Sequence, residues 1–454
     1  MTIPLSVAIV GSGPSGAYCA RLLSEHSALD ARIDVYERLP APYGLVRYGV
    51  APDHQKIKSI TASLAQIFSG PRVRFIGNVE VGADVPLRDL RGRYDAVILA
   101  CGAGIGRRLG IAGEELPGVF SATDFVSWYS GHPDAVVDQF SLAARTARRA
   151  VVIGAGNVAL DVARMLVRTP DELRRTDVPE HVVEVLAASS IREITIAGRR
   201  GPAFAKFTSK ELAELAALEG ADVLVDTADL VLDADQEAAV AGNPAARRVL
   251  ARLADLADRA ARGRPRSIRF VFGYRPAEFL GTAAVEGVRF QRSLAGGSES
   301  VDIPAQFVLR SIGYRGSRLA GVPFDERAGT VPNDAGRVLG RHGPVPGLYA
   351  VGWIKRGPTG VIGTNQLDAN ETVNALVDDF RRATAPRCQA AQGDLASQLR
   401  TSGGAVVGWA GWRAIDRAEQ EYGARLGRDR VKLHDRTRLL EAAMTATANG
   451  ELSG

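Results

Sequence analysis

Short apolar runs recur along the chain and are separated by longer stretches with helical periodicity. The runs are rich in β-branched residues and end in glycine or a polar residue, as buried strands do. The clearest are SVAIVG (6–11), RIDVYE (32–37), YDAVILACGA (94–103), RAVVIGAG (149–156), EITIAG (193–198) and LYAVGW (348–353). Strands that alternate with helices usually form parallel sheets that are covered on both faces. The pattern therefore predicts an α/β protein with mainly parallel sheets.

Two parts of this pattern resemble each other. Residues 5–37 and 149–200 each run strand, glycine turn, helix, strand. Nothing recurs at a short fixed period, so a solenoid is not indicated. We predict two Rossmann-like dinucleotide-binding domains, a discontinuous one formed by 1–105 and 326–454 and a second formed by 106–325.

The first glycine turn, in VAIVGSGPSGAYCARLL, has Gly11, Gly13 and Gly16 in GxGxxG spacing between a strand and a helix. A side chain at the second glycine would block the approach of a pyrophosphate to the backbone, and the helix N-terminus favours its negative charge. Glu37 closes the next strand, where a carboxylate accepts hydrogen bonds from ribose hydroxyls. It would also repel a 2′-phosphate, so the turn indicates FAD or NAD. The alternative is a structural turn beside a surface glutamate.

The second glycine turn, in RAVVIGAGNVALDVARML, has Gly154 and Gly156, with the small Ala159 in place of the third glycine. The strand that follows reads ITIAGRRGP and ends in Arg199 and Arg200, where an acid is usual. A guanidinium binds phosphate oxygens through two parallel hydrogen bonds. The pair therefore predicts NADP(H), although two arginines that simply end a strand in solvent are the alternative.

One site for FAD and one for NADPH indicate a flavoprotein reductase in which NADPH gives a hydride to the flavin. The composition, with 46% hydrophobic and 24% charged residues, is that of a globular protein, and the net charge of +5 favours acidic partners without indicating nucleic acid. No apolar run reaches the about 18 to 20 residues that a membrane helix needs. We expect no membrane insertion.

The three cysteines, Cys19, Cys101 and Cys388, lie far apart in the sequence. They form no CxxC motif and no Cys/His metal spacing, so we expect no metal site and a cytoplasmic location. Disulfide reductases pass electrons from the flavin to a cysteine pair, which this sequence does not offer. An external electron acceptor is therefore favoured.

An arginine-rich segment, AARRVLARLADLADRAARGRPRSIRF, has eight arginines from Arg247 to Arg269. Its apolar spacing predicts an amphipathic helix that runs into a strand. The arginines either form a solvated helix face, partly balanced by Asp255 and Asp258, or bind an acidic protein. Further along, GWAGWRAIDRAEQEYGARLG (408–427) predicts another helix.

Several stretches resemble one family, the adrenodoxin reductase type of NADPH–ferredoxin reductase, over nearly the whole chain. They are PAPYGLVRYGVAPDHQKIK (40–58), YDAVILACGA (94–103), VVIGAGNVALDVAR, GRRGP and GLYAVGWIKRGPTGVIGTN (347–365). The last is the most specific, because Trp353 follows Gly352 where most flavoproteins with two dinucleotide folds have an aspartate.

The resemblance implies roles for residues at the matching positions. Those implied for FAD are Ser15, Glu37, Leu45, Val81 and Trp353, with the backbone of Gly360, Val361 and Ile362. Those implied for NADP are Arg107, Asn157, Val158, Arg199, Arg200 and Glu211, with Gly360 shared between both cofactors. Exposed amides in the GPTGVIGTN loop would suit the pyrimidine side of a flavin.

The resemblance also places His54 near the flavin and facing Glu214, where the pair would orient the nicotinamide or tune proton supply. Asp161, one helical turn after Asn157, is expected at the same water network. These residues lead to the hypothesis of an NADPH-dependent ferredoxin reductase, with a hydride passed to FAD and then single electrons to an acidic ferredoxin. The alternatives are an electron-input subunit of the glutamate synthase kind and a non-catalytic NADP(H) sensor.

Overall fold

The structure of the chain, a computed structural model, describes residues 3–294, 297–360, 362–382 and 394–448. It divides into two compact units. The first unit comprises the described residues of 1–105, 130–134 and 314–454, and the second comprises those of 106–129 and 135–313. The boundary lies at 313 rather than at the expected 325, because Val322 is buried in the core of the first unit and Gly316 N donates to Gly329 O at 2.9 Å.

The strands of the described residues are numbered in chain order. They are β1 (Ile3–Val10), β2 (Leu29–Glu37), β3 (Val73–Gly77), β4 (Ala96–Leu99), β5 (Ile105–Gly106), β6 (Val119–Ser121), β7 (Arg149–Ile153), β8 (Glu193–Gly198), β9 (Ala221–Val225), β10 (Arg266–Phe272), β11 (Tyr274–Leu280), β12 (Gly287–Leu294), β13 (Gly297–Pro304), β14 (Phe307–Arg310), β15 (Tyr314–Arg315), β16 (Asn333–Asp334), β17 (Arg337–Gly340) and β18 (Gly343–Ala350).

The α-helices of the same residues are numbered likewise. They are α1 (Pro14–Glu25), α2 (Leu45–Tyr48), α3 (Gln55–Lys58), α4 (Thr61–Phe68), α5 (Leu87–Arg93), α6 (Ala122–Tyr129), α7 (Ser141–Thr146), α8 (Asn157–Val167), α9 (Pro170–Arg174), α10 (Glu180–Ala187), α11 (Ser209–Ala216), α12 (Ala234–Ala241), α13 (Pro244–Ala257), α14 (Trp353–Arg356), α15 (Thr364–Arg381), α16 (Leu395–Thr401), α17 (Trp409–Arg425) and α18 (Arg436–Ala448). Across the described ranges, none of these helices has both the length and the apolar character needed to cross a membrane.

The sheet of the first unit has the strand order β16-β17-β18-β4-β1-β2-β3. The five strands from β18 to β3 run parallel, and β16 and β17 add an antiparallel hairpin at one edge. Along β1, Val7 and Ile9 belong to the core on one face of the sheet, and Ala8 and Val10 to the core on the other. Burial on both faces is why this strand reads as a continuous apolar run.

The sheet of the second unit has the order β6-β14-β7-β8-β10-β9 and is parallel throughout the described strands. A three-stranded antiparallel sheet, β11-β12-β13, accompanies it. The sequence pattern did not predict this smaller sheet. Val288 and Phe290 of β12 are fully buried in one core with Val151 and Ile153 of β7. The predicted α/β class with mainly parallel sheets is confirmed.

The arginine-rich segment folds as predicted, as a helix followed by a strand. Helix α13 buries one apolar face, formed by Ala246, Val249, Leu253 and Leu256, and the chain then enters β10. The helix predicted over 408–427 is also present, as α17.

Candidate functional site

The first glycine turn lies between β1 and α1, at the point where the strand order of its sheet reverses. Gly11 has a φ of +112°, and a Cβ on it would lie 2.4 Å from the carbonyl oxygen of Ala100, at the end of β4. A Cβ on Gly16 would lie 2.1 Å from Gly11 O. The packing of the chain therefore requires both glycines. In open α/β sheets, ligands bind at such a reversal point.

Gly13, the second glycine, has a different environment. Among the described residues only the Cα of Gly44 comes near a Cβ built on Gly13, at the ordinary contact distance of 4.0 Å. Packing of the chain thus leaves room for a side chain at Gly13. A pyrophosphate bound close to the backbone would leave no room for a side chain at Gly13, so the turn fits a dinucleotide.

Glu37, at the end of β2, lies directly beside this turn. Its Oε2 accepts hydrogen bonds from Ser12 N at 3.0 Å and Ser12 Oγ at 2.7 Å, and its Oε1 accepts one from Leu39 N at 3.1 Å. The side chain is only 8% exposed. Backbone and hydroxyl donors therefore fix an acidic group at the strand end where a ribose is expected.

Ser15 and the segment that begins at Gly352 meet on the other side of the turn. Gly352 has a φ of +76°, and a Cβ on it would lie 2.2 Å from Ser15 Oγ. Ser15 Oγ donates to Asn365 Oδ1 at 3.1 Å. The indole of Trp353 lies 5.7 Å from the ring of Tyr314, and its Nε1 donates to the backbone of the loop before α15. The structure thus joins Ser15, the Trp353 segment and the glycine turn.

A buried acid that the sequence reasoning missed holds the Gly352 segment in place. Asp368 accepts from Gly352 N at 2.5 Å and pairs with Lys355 Nζ at 2.7 Å and Arg356 Nε at 3.3 Å. Arg356 also donates to Asn365 Oδ1 at 2.6 Å. Lys355 and Arg356 belong to the WIKR stretch that carried the family resemblance, so that motif was the available signal.

The other predicted residues of the first unit lie in several places. Leu45 begins α2 and is 37% exposed, whereas Val81 is buried and forms a bridge with Val85. Gly360 is exposed with a φ of +80°, and Ile362 packs against the core. Val361 lies outside the described residues. His54 is 8% exposed and directly precedes α3.

The second glycine turn repeats the first in detail. Gly154 has a φ of +138°, and a Cβ on it would lie 2.1 Å from Ser311 O, just after β14. Gly154 N donates to Ala197 O at 2.9 Å, as Gly11 N donates to Tyr36 O at 2.8 Å. No atom of the residues that the structure describes comes within 4 Å of a Cβ on Gly156. Ala159 is fully buried. The internal repeat predicted from the sequence is present.

Arg199 and Arg200 follow β8 and are both exposed. The guanidinium carbon of Arg200 lies 4.7 Å from the centre of the Phe204 ring. The segment that follows returns to the glycine turn, because Lys206 N donates to Ala155 O at 2.7 Å. Two cations therefore lie at the strand end that corresponds to Glu37 in the first unit. Lys206, also exposed, is a third cation near the turn that the sequence reasoning missed.

Asn157, Asp161 and Glu211 take part in contacts within the second unit. Asn157 Oδ1 accepts from the backbone amide of Thr208, which caps α11, at 2.8 Å. Arg164 is fully buried, with Nη2 2.6 Å from Asp161 Oδ1 and Nη1 3.7 Å from Glu211 Oε2. The structure thus brings Asp161 and Glu211 to one guanidinium, which sequence spacing alone did not predict.

Three further predicted residues of the second unit have separate surroundings. Arg107 N donates to Gly313 O at 3.0 Å, and Val158 is partly buried against the core. Glu214 lies 3.7 Å from Lys210 on α11. His54 belongs to the first unit and Glu214 to the second, so their pairing stays a prediction.

The arginines of the arginine-rich segment divide into two groups. Arg262 donates to Leu218 O and Ala221 O, and the partly buried Arg266 donates to Arg168 O, so these two stabilise the second unit itself. The other exposed members are Arg247, Arg248, Arg259, Arg264 and Arg269, and Arg252 is partly exposed.

Comparison with known proteins places these features in a family. The family model described as pyridine nucleotide-disulphide oxidoreductase matches residues 5–362. NADPH-ferredoxin reductase FprA of Mycobacterium tuberculosis is 44% identical over 463 residues, which cover 97% of this chain and 99% of the relative. The mitochondrial NADPH:adrenodoxin oxidoreductase of Arabidopsis thaliana is 38% identical over 465 residues, with 97% and 95% covered.

A solved structure agrees with these relatives. That structure is FprA of Mycobacterium tuberculosis in complex with NADPH, with a TM-score of 0.87, 43% identity, and coverage of 97% of this chain and 100% of that one. The chain therefore belongs to the pyridine nucleotide-disulphide oxidoreductase family and, within it, to the adrenodoxin reductase type of NADPH–ferredoxin reductase.

Proposed function

We propose that this chain passes a hydride from NADPH to FAD and then single electrons to a ferredoxin-type iron–sulfur protein. As a family member the chain is an NADPH-dependent ferredoxin reductase with FAD and NADP(H) as its cofactors. The observation that carries the assignment of each cofactor to a unit is the opposite charge at corresponding strand ends. Glu37 ends β2 beside one glycine turn, and Arg199 and Arg200 follow β8 beside the other.

In the first unit the residues fit the adenosine end of FAD. The open side of Gly13 admits a pyrophosphate, and the Glu37 carboxylate accepts from ribose hydroxyls. Further residues for FAD are Gly11, Ser15, Gly16, Leu45, Val81, Trp353, Gly360, Val361 and Ile362. When bound, FAD would supply the redox chemistry that links a two-electron donor to a one-electron acceptor.

In the second unit the residues fit NADP(H). Arg199 and Arg200 neutralise the 2′-phosphate and donate hydrogen bonds to its oxygens, while the start of α8 takes the pyrophosphate. Further residues of this unit for NADP(H) are Arg107, Gly154, Gly156, Asn157, Val158 and Glu211, and Gly360 of the first unit is proposed to serve both cofactors. Exclusion of water and a fixed orientation of the nicotinamide are what the protein adds to hydride transfer.

His54, Glu214 and Asp161 are proposed to orient the nicotinamide and to hold protons close to it. His54 is only 8% exposed, so the groups packed around it limit the orientations of its imidazole. Asp161 is already held at 2.6 Å by Arg164, so its carboxylate is oriented before any coenzyme binds.

For the electron acceptor we propose an acidic ferredoxin that docks on the exposed arginines between Arg247 and Arg269. Opposite charges steer such encounters and make them sensitive to salt. We further propose a cytoplasmic location, since Cys19 and Cys101 are both unpaired.

An anaerobic mixing experiment tests the function. The purified chain is expected to carry the visible absorbance of a flavin, to lose it faster with NADPH than with NADH, and to regain it when an oxidised ferredoxin is added. A chain that is colourless and takes up no added FAD would refute the proposal. Equal rates with the two coenzymes would refute the role given to Arg199 and Arg200.

A further inference from the structure

The segment from Tyr43 to Tyr48 covers the first glycine turn. Tyr43 N donates to Ser12 O at 3.2 Å. Gly44 has a φ of +50°, and a Cβ on it would lie only 3.1 Å from the Cα of Gly13. Tyr43 itself has a φ of +83°, which is unusual for a residue with a side chain. The backbone of this segment therefore bounds the open side of Gly13.

A buried ion pair holds this segment from behind. Arg47 of α2 is 6% exposed, and Glu419 of α17 is fully buried. Arg47 Nη2 lies 2.5 Å from Glu419 Oε1, and Arg47 Nη1 lies 3.2 Å from Oε2, so the pair is bidentate. The guanidinium carbon also lies 5.0 Å from the ring centres of both Tyr48 and Trp412.

Residues that follow α17 also bind the main chain of Arg47 and donate further hydrogen bonds to the Glu419 carboxylate. Lys432 Nζ, 2% exposed, donates to Arg47 O at 2.7 Å and to Ser130 O at 3.0 Å. Glu419 accepts two further hydrogen bonds, from Arg430 Nη1 at 2.9 Å and from Leu433 N at 2.9 Å. Both the side chain and the carbonyl of Arg47 are thus fixed by residues 419–433.

A buried ion pair is a costly way to gain stability. Apolar residues of similar volume often stabilise a core equally well, because the desolvation of two charges offsets their attraction. A bidentate pair instead fixes a distance and an angle. The contacts around Arg47 are therefore better explained by a role in setting the position of segment 43–48 than by a gain in stability.

We infer that Arg47 and Glu419 are positioning residues for FAD, which set the distance of Gly44 and Leu45 from the pyrophosphate turn. This inference rests on the FAD site proposed above. It assigns a function to helix α17, which lies beyond the 5–362 range of the family model.

The test compares FAD release in three variants of the full chain. Glu419→Gln keeps the volume and loses the charge, and Arg47→Lys keeps the charge and loses the bidentate geometry. Leu90→Ala is the control, because Leu90 is fully buried on α5 in the other core of the first unit. The rate of FAD dissociation is followed by flavin fluorescence, and the melting temperature of each apoprotein is measured in parallel.

Both pair variants are expected to release FAD about tenfold faster than Leu90→Ala. The comparison takes into account how far each substitution lowers the melting temperature of the apoprotein. Release at the rate of the control would overturn the inference. If Glu419→Gln does not fold, Arg47→Lys decides alone, since its charge stays paired. A wild-type chain that binds no FAD would instead refute the proposed function.

Discussion

At the scale of single residues, the position of a few charges decides which nucleotide each unit can accept. Glu37 is held by three hydrogen bonds from Ser12 and Leu39, whereas Arg199 and Arg200 extend into solvent after an equivalent strand. A carboxylate held in place can accept hydrogen bonds from the neutral hydroxyls of a ribose. Exposed guanidinium groups can donate charged hydrogen bonds to a phosphate.

The arginine pair leads to a prediction about coenzyme preference. Arg199→Ala combined with Arg200→Ala should weaken the binding of NADPH far more than that of NADH, by about 1.5 to 3 kcal/mol for each charged hydrogen bond lost. The dissociation constants of both coenzymes, measured by fluorescence titration, check this. Arg88→Ala is the control, because Arg88 is 85% exposed and lies in the first unit. An unchanged ratio between NADPH and NADH would contradict the prediction.

His132 leads to a prediction about pH. Burial, together with the nearby Arg38 and Arg436, lowers the pKa of His132 to about 4. The folded state therefore keeps this imidazole neutral, while the unfolded chain protonates it below its ordinary pKa of about 6.5. Stability contributed by the neutral ring is complete above pH 6.5 and is lost as the pH falls towards 4. Asp134, with a pKa lowered to about 2 by Arg436 and Arg38, stays ionised throughout this range.

The substitution His132→Asn isolates this effect, because an asparagine oxygen can accept from Asp134 N as His132 Nδ1 does at 3.1 Å. Between pH 7 and pH 4.5 the wild type should lose about 2 to 3 kcal/mol more than the variant in its free energy of unfolding. Urea unfolding at both pH values measures it. Parallel losses in the two proteins would show that His132 does not titrate in this way.

At the scale of elements, local pattern was enough to predict the two strand, turn and helix units. β1 and β7 are buried on both faces, so their apolar runs are unbroken, and the glycines at 11 and 154 stand where a neighbouring carbonyl leaves no room for Cβ. The sheet β11-β12-β13 escaped prediction because its strands are polar at many positions; β13 is exposed along much of its length. The sheet depends instead on packing against a distant part of the chain, since Val288 and Phe290 share a core with Val151 and Ile153.

The second glycine turn allows a paired prediction that separates packing from binding. Gly154→Ala should lower stability by about 1 to 3 kcal/mol, because the residue has a positive φ and Cβ would meet Ser311 O. Gly156→Ala should leave the melting temperature nearly unchanged and lower the affinity for NADPH about tenfold, since the open side of Gly156 is the proposed position of the pyrophosphate. Thermal unfolding and coenzyme titration of both variants check this. A loss of stability in Gly156→Ala without a loss of affinity would contradict it.

At the scale of the whole molecule, the two compact units differ from the domains expected from the sequence at residues 130–134 and 314–325. Residues that are distant in the sequence decide these cases. Ser130 O accepts from Lys432, and Asp134 pairs with Arg436, so a short piece between two segments of the second unit belongs to the first. The pairing of Arg47 with Glu419 was likewise not predictable, because no local periodicity links residues 372 positions apart.

The charge of the whole molecule leads to the last prediction. Arg247 and Arg248 lie on the exposed side of α13, whose other side is buried, so reversing their charges should not disturb the fold. If an acidic ferredoxin docks there, Arg247→Glu with Arg248→Glu should slow ferredoxin reduction about tenfold or more at low salt, and much less at ionic strengths that screen charges beyond a few ångströms. Reduction of a small neutral dye should be unaffected, because it needs no docking surface. Arg88→Glu with Arg91→Glu makes the same change in net charge on the first unit and serves as the control. Equal slowing by both double variants would mean that net charge alone, and not the arginines of α13, governs the encounter.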